Sequence, residues 1–343
     1  MKIFLELLKG SKQLTINHLL FVTEPFRNIM RSFFVTMIVF LLVLTPQHSL
    51  ASSENIKTWN DVISNYSDTG TLGGISVPLD GNNSSDSNTM AGDEWPSLVE
   101  VYTATWCENC VTTQGIIDSL TLPEGKSMLK IHYHRFIAEV QDPFGSQTTD
   151  DRWIERYGPT SRLTNSYGYE NIAPSKVFDG ERIHTGTTKS SESLEFDYQN
   201  SFDKGSSLDV SEFSATLSWT NYSGNNEFSW NISTPSLNNK YIIEPMILII
   251  EDVGYFPEGG NGEKYYHHIL RDVIPLSTID GNISIDFNDA YDGNDLTAVL
   301  IFDWNYDNSD DGIMSAVPFP SIVVFTSFFV ALFYNRNDKS DLI

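Results

Sequence analysis

The chain has 343 residues, with 21 Lys and Arg against 45 Asp and Glu, for a net charge of -24. That balance excludes a nucleic-acid binder, which needs a basic stripe to displace phosphate counterions. Two cysteines in the whole chain exclude a disulfide scaffold, so any core is held by apolar burial.

Residues 1–51 read as a signal peptide or N-terminal anchor. Residues 32–45 are nearly all apolar, Arg27 and Arg31 precede them, and Ser49-Leu50-Ala51 has the small-x-small form of a cleavage site. A start at Met30 would give an ordinary secretory signal. Residues 52–93 are rich in Ser, Asn, Gly and Asp and read as a flexible linker. Asn65, Asn82, Asn83, Asn221, Asn231 and Asn282 each begin an Asn-x-Ser glycosylation acceptor.

From Pro96 the pattern is α/β. Residues 97–103 predict a buried strand that runs into Trp106-Cys107-Glu108-Asn109-Cys110 and then a helix over 111–120. Residues 128–134 alternate Leu129, Ile131 and Tyr133 with Lys130, His132 and His134, as a half-exposed strand would. Residues 150–157 and 161–167 are helix-like. Ile172-Ala173-Pro174 opens a further strand, Asp179-Gly180 signals a hairpin turn, 181–185 returns, and 190–202 predicts a closing helix.

Two thiols three positions apart at a helix start point to thiol–disulfide chemistry. The leading sulfur there meets unpaired N–H groups and the positive end of the helix dipole, which favour thiolate, and thiolate is the form that attacks disulfides. The assigned roles are Cys107 as attacking thiolate and Cys110 as resolving thiol. Trp106 flanks the pair with an apolar surface that could meet an extended partner.

These pieces, over residues 94–202, resemble a thioredoxin-like domain, carried by Trp106-Cys107-x-x-Cys110 and by Ile172-Ala173-Pro174 before Asp179-Gly180. The resemblance implies that Pro174 is a cis-proline facing the cysteine pair and that the backbone of its neighbour, Ala173, binds extended substrate. The chain departs from the family in three places. Val101 stands where many members carry a buried acid, and strand alternation turns Glu100 to the other face. Glu108 and Asn109 lie between the cysteines, so a carboxylate sits where it opposes thiolate formation. Residues 141–169 form an added helical piece. Proton transfer to Cys110 is accordingly expected to use water or Glu108.

Residues 206–304 read as an all-β sandwich of immunoglobulin or fibronectin type, with strands at 212–219, 227–234, 242–252, 265–273, 283–287 and 296–302. Residues 305–315 form an acidic linker. Asp303, Asn305, Asp307, Ser309 and Asp311 have alternate-residue oxygens, but Asn308 and Met314 stand where a calcium loop needs Gly and Glu, which favours the linker. Residues 316–335 form an apolar run of roughly 28 Å as a helix, the span of a bilayer. Arg336 and Lys339 then place the tail, 336–343, in the cytoplasm. That end resembles the C-terminal anchors of archaeal surface proteins.

The expected protein is a thiol–disulfide oxidoreductase held at the cell membrane by a single C-terminal span, its working domains extracytoplasmic. Its partners would be protein thiols or disulfides and a membrane electron-relay or thiol-donor protein. No cofactor is required. Two readings compete. In one, the disulfide is static and the chain is a surface interaction or adhesion module. In the other, Cys107, Cys110, His132 and His134 hold a soft metal such as copper. His267 and His268 lie in a strand, where alternation buries one and exposes the other.

Overall fold

The computed structural model describes residues 69–79, 85–234 and 241–306. In chain order, β1 (Thr69–Pro78) and β2 (Ser85–Ala91) precede β3 (Ser97–Thr103), α1 (Glu108–Asp118), β4 (Met128–His134) and α2 (Gln147–Thr164). The hairpin β5 (Ser175–Phe178) and β6 (Arg182–Thr185) and the helix α3 (Leu194–Lys204) follow. Six strands complete the described chain: β7 (Ser214–Tyr222), β8 (Asn225–Ser233), β9 (Tyr241–Tyr255), β10 (Tyr265–Pro275), β11 (Asp280–Ser284) and β12 (Leu296–Tyr306).

Local chemistry sets several of these boundaries. Ser223 and Gly224 both take positive φ, 56° and 88°, which lets a two-residue turn match the twist of β7 and β8. Ser146 caps α2, accepting the Thr149 N–H, while Thr149 Oγ1 accepts the Ser146 N–H at 3.0 Å. Ile247, Leu248, Ile249 and Ile250 of β9 form an unbroken apolar run because both faces of that strand are covered.

The strands form two sheets. Eight lie in the order β1-β12-β9-β10-β4-β3-β5-β6, and four in the order β11-β8-β7-β2. Leu72, Ile75 and Val77 of β1 pack with Ile247, Ile249, Leu300 and Phe302 against Leu217, Trp219, Phe228 and Trp230 of the smaller sheet. The opposite face of the large sheet receives α2, whose Trp153 and Tyr157 pack on Tyr102, Tyr133, Leu248, Ile250 and Ile301. Val99, Val101 and Phe178, on the face away from α2, are covered by Ile117 and Leu120 at α1 and by Tyr198 and Phe202 of α3. A polar network ties α2 down. Arg152 donates to Asp303 at 2.9 Å, Asp303 accepts from Thr71 at 2.7 Å, and Glu100 accepts from Tyr133 at 2.6 Å and from Tyr157.

This arrangement corrects the expected fold class. An α/β thioredoxin-like domain over 94–202 followed by a separate immunoglobulin- or fibronectin-like sandwich over 206–304 is not what forms. Among the described residues strand outweighs helix, with twelve strands and three α-helices, and strands from both intervals share one sheet. The join is β10 beside β4, parallel, with Ile269 opposite His132. β4 is therefore an interior strand, which the alternation of its side chains did not reveal.

Residues 52–93 are corrected in part as well, because β1 and β2 lie within them. β1 pairs along its length with β12, and β2 pairs with β7. β2 has no fully buried residue, so its Ser, Asp and Asn side chains match the solvent they meet. Asp303 and Asn305 sit in β12, and Asp303 is buried there, so neither belongs to a solvated loop.

The expected membrane localisation is also corrected: among the described residues no helix is long and apolar enough to cross a membrane. The N-terminal segment 1–51, the span 316–335 and the tail 336–343 lie outside the described residues, as does the acidic linker from residue 307 on.

Candidate active site

The site starts where β3 ends. After Thr103 the chain turns so that the Cys107 N–H bonds to Ala104 O at 3.0 Å, and Cys107 becomes the N-cap of α1. The Cys110 N–H points back at the capping residue, 3.1 Å from its carbonyl oxygen and 3.2 Å from its Sγ. A helix N-terminus has N–H groups with no partner inside the helix, and here the Cys107 sulfur takes one of them. Cys107 and Cys110 are joined as a disulfide with Cα atoms 5.2 Å apart, and each is only 4% exposed.

Around the pair lie Ala104, Trp106 and Ala173. Trp106 is half-buried, and its indole N–H donates to Glu139 Oε2 at 2.7 Å. Ala173 reaches the sulfurs from the segment before β5, although 63 positions separate it from Cys110 (173 − 110). The Ala173–Pro174 peptide bond is cis, and Pro174 is buried with its carbonyl accepting the Gly186 N–H at 2.7 Å. Thus Cys107, Cys110, Trp106 and Ala173 meet in one cluster, with Pro174 beside it. Glu108 and Asn109 are both exposed.

Beneath α1 and α3 the sheet carries basic groups where an apolar layer would be usual. Val101 lies opposite His132 on one side and Lys176 on the other, and Lys176 lies opposite His184. Directly paired residues share a face, so these four form a row across β4, β3, β5 and β6. Burial pulls the Lys176 ammonium down to about 7 and keeps His132 well below the usual imidazole range, with His268 and His134 adding to the effect on His132. Glu100 is on the opposite face, in the α2 network.

Beside Cys110, over β4 and β10, opens a cavity of about 600 Å³ whose walls include Thr103, His132, His134, Tyr266 and His268. His134 is fixed in it. Its Nδ1 is 2.8 Å from Asp142 Oδ2, and that carboxylate also accepts the N–H groups of Thr105 at 2.8 Å and Phe144 at 3.1 Å. The ring packs edge-on to Phe144 and Tyr266. The Nε2 atoms of His132 and His134 are buried and have no hydrogen-bond partner among the described residues. His268 is half-buried, and burial lowers it to about 4, while His267 is exposed.

Asp142 and Lys176 carry no sign of their place in the sequence alone. Asp142 lies in a loop, and only the β4–β10 pairing shows that His134 is enclosed. A Lys in a strand gave no sign that it faces α1. Among the described residues, no group of three or more His, Cys, Asp or Glu side chains is placed to hold a metal ion.

No family model matches the chain, and no curated protein does. Two solved structures are similar to it. One is a protein of Agrobacterium tumefaciens determined by X-ray crystallography, 12% identical, covering 60% of this chain and 77% of its own, with a TM-score of 0.33. The other is HBP35 of Porphyromonas gingivalis, 16% identical, covering 64% of this chain and 65% of its own, with a TM-score of 0.29. Likenesses at that level carry no argument about fold or function.

Proposed function

We propose that the chain is a thiol–disulfide oxidoreductase acting on protein thiols or disulfides. The observation that carries this reading is the Cys107 sulfur at the start of α1, accepting the Cys110 N–H at 3.2 Å, with its disulfide partner one helical turn away. Dipole and N–H groups at a helix start stabilise negative charge by about 0.3–1 kcal/mol, so the reduced pair favours thiolate at Cys107. In the reducing direction the Cys107 thiolate attacks a substrate disulfide. One substrate sulfur leaves as thiolate and the other is held in a mixed disulfide. The Cys110 sulfur then attacks Cys107, the Cys107–Cys110 bond forms, and the second substrate sulfur is released. Two electrons pass from the pair to the substrate. The oxidising direction is the same sequence reversed, and a thiol donor or acceptor protein restores the pair. Trp106 and Ala173, next to the sulfurs, supply the surface on which a partner chain rests.

The test is Cys107→Ser in the full chain. The variant should keep the native circular dichroism spectrum and lose exchange with a model disulfide and a model dithiol. Exchange that persists in the variant rules the reading out.

A second reading rests on the 4% exposure of both cysteines, which suits a static disulfide within an interaction module. Thiol titration of the native protein separates the two. A pair inert to dithiothreitol while folded is structural, and one that opens and closes without unfolding is redox-active.

A further inference from the structure

The row of residues under α1 lacks a carboxylate, yet the second half of the exchange needs a base. Cys110 must lose its proton before it can attack Cys107, and a thiol buried to 4% exposure has little water to take that proton. Glu108 is exposed on the helix and does not share the cavity beside Cys110. His134 does. Its geometry is that of a base oriented by a third group: the Asp142 carboxylate 2.8 Å from Nδ1 holds the proton there and leaves the lone pair on Nε2. Both side chains are buried, at 1% and 0% exposure, so the pair does not swing free. Nε2 of His134 has no partner among the described residues, and a buried acceptor left open in a cavity beside a thiol is a site for that thiol's proton.

We propose that His134, oriented by Asp142, is the proton acceptor that activates Cys110. The proposal rests on the oxidoreductase reading and adds a residue to it. The Cys110 S–H proton moves to His134 Nε2 and the Cys110 thiolate attacks Cys107 Sγ. The Cys107–Cys110 bond forms, the Cys107–substrate bond breaks, and the departing substrate thiolate takes up the proton from His134 directly or through water. In the oxidising direction His134 returns the proton to Cys110. Asp142 is a positioning residue. Because Asp142 also accepts the Thr105 N–H, the carboxylate that holds the base also holds the turn leading to Cys107.

His132 is a poorer candidate, since among the described residues its ring has no carboxylate to fix it and burial lowers its affinity for the proton. The charged and titratable groups around the cavity are Asp142 behind His134, Lys130 and His132 on its own strand, Tyr265, Tyr266, His267 and His268 on β10, Glu263 before β10 and Asp118 on α1.

The experiment is stopped-flow reaction of the fully reduced full-length protein with Ellman's reagent, an aromatic disulfide that releases coloured thiolate. The first equivalent reports attack by Cys107 and the second reports displacement by Cys110. Wild type should show two ordered phases. His134→Gln should leave the first phase within twofold and slow the second about 100-fold at pH 7. That deficit should close as pH rises above the ordinary thiol range. Asp142→Asn should slow the same phase by a smaller factor, and His132→Ala should not slow it. A structural role would slow both phases alike and without the pH signature. The inference is overturned if His134→Gln has a wild-type second phase, or if its deficit persists unchanged above the ordinary thiol range. Asp142→Asn keeps the imidazole and tests the same step where His134→Gln unfolds the chain, and a wild-type second phase in that variant also overturns the inference. Failure of the underlying reading looks different: wild type itself then lacks the ordered second phase, or Cys107→Ser reproduces it.

Discussion

Lys176 stands opposite Val101 in the antiparallel ladder between β5 and β3, and its ammonium nitrogen meets no hydrogen-bond partner among the described residues. The side chain is fully buried under α1 and α3. An isolated charge there loses its hydration without a compensating partner, so the amine is held neutral more readily than in water.

That cost gives stability a definite pH dependence. The unfolded chain binds this proton with the ordinary value of 10.5 and the folded chain with about 7. Above 10.5 both states are neutral and Lys176 costs nothing by charge. As pH falls from 10.5 to 7 only the unfolded chain takes up the proton, so stability falls, and below 7 the cost is constant. Lys176→Met should therefore be more stable than wild type at pH 6, by on the order of a few kcal/mol. The difference should shrink towards pH 10. Urea unfolding at a series of pH values checks this, and a constant difference across pH would contradict it.

Arg152 is the centre of the network between α2 and the large sheet. It bonds to Asp303 at 2.9 Å and lies 3.6 Å from Glu100, with its guanidinium over the Tyr157 ring. Removing one partner of a buried ion pair leaves the others uncompensated, at a cost of roughly 3–5 kcal/mol. Arg152→Met should lose about that much in denaturant unfolding. The triple variant that also carries Glu100→Gln and Asp303→Asn should recover a large share. No recovery would mean that the charges are not coupled.

β1 is integral to the core. A chain beginning at residue 94 loses Leu72, Ile75 and Val77 from between the sheets. Burial of such side chains is worth about 1.5–3 kcal/mol each, and the total of roughly 5–9 kcal/mol approaches the whole stability of an ordinary domain. The truncated protein should fail to unfold cooperatively on heating. A sharp transition near the full-length Tm would show that β12 does not need β1.

Trp106 sits half-exposed beside the sulfurs, fixed by Glu139. A ring so placed contacts a protein partner far more than a small reagent. Trp106→Ala should lower the exchange rate with an unfolded protein dithiol about tenfold and change that with glutathione disulfide by less than twofold. Equal losses with both substrates would place Trp106 in packing alone.

What the sequence reveals about this molecule follows the range of the interactions involved. The Cys107–Cys110 pair, the strand before it and the helix after it depend on near neighbours, as does the Asp179-Gly180 turn, where both residues take positive φ. The eight-stranded sheet does not. It exists because β10 lies beside β4, and the two strands are more than a hundred positions apart. His132 and His134 alternate with apolar residues as solvent-facing side chains do, and only that pairing encloses them. β1 is obscured by Gly73 and Gly74, where the register shifts against β12, and β2 by polar side chains that suit an edge strand and a linker equally. Asp142 belongs to the site through its bonds to His134 and to the Thr105 N–H, for which spacing offers no sign.

The most direct measurement is the reduction potential of the pair, taken by equilibrating the native full-length protein in glutathione buffers and counting alkylated thiols. A redox-active Cys107–Cys110 pair should exchange while folded and settle within roughly −270 to −120 mV, the interval of known dithiol exchange proteins. A pair that stays fully oxidised below about −300 mV, or opens only when the protein unfolds, is a structural disulfide and contradicts the proposed function.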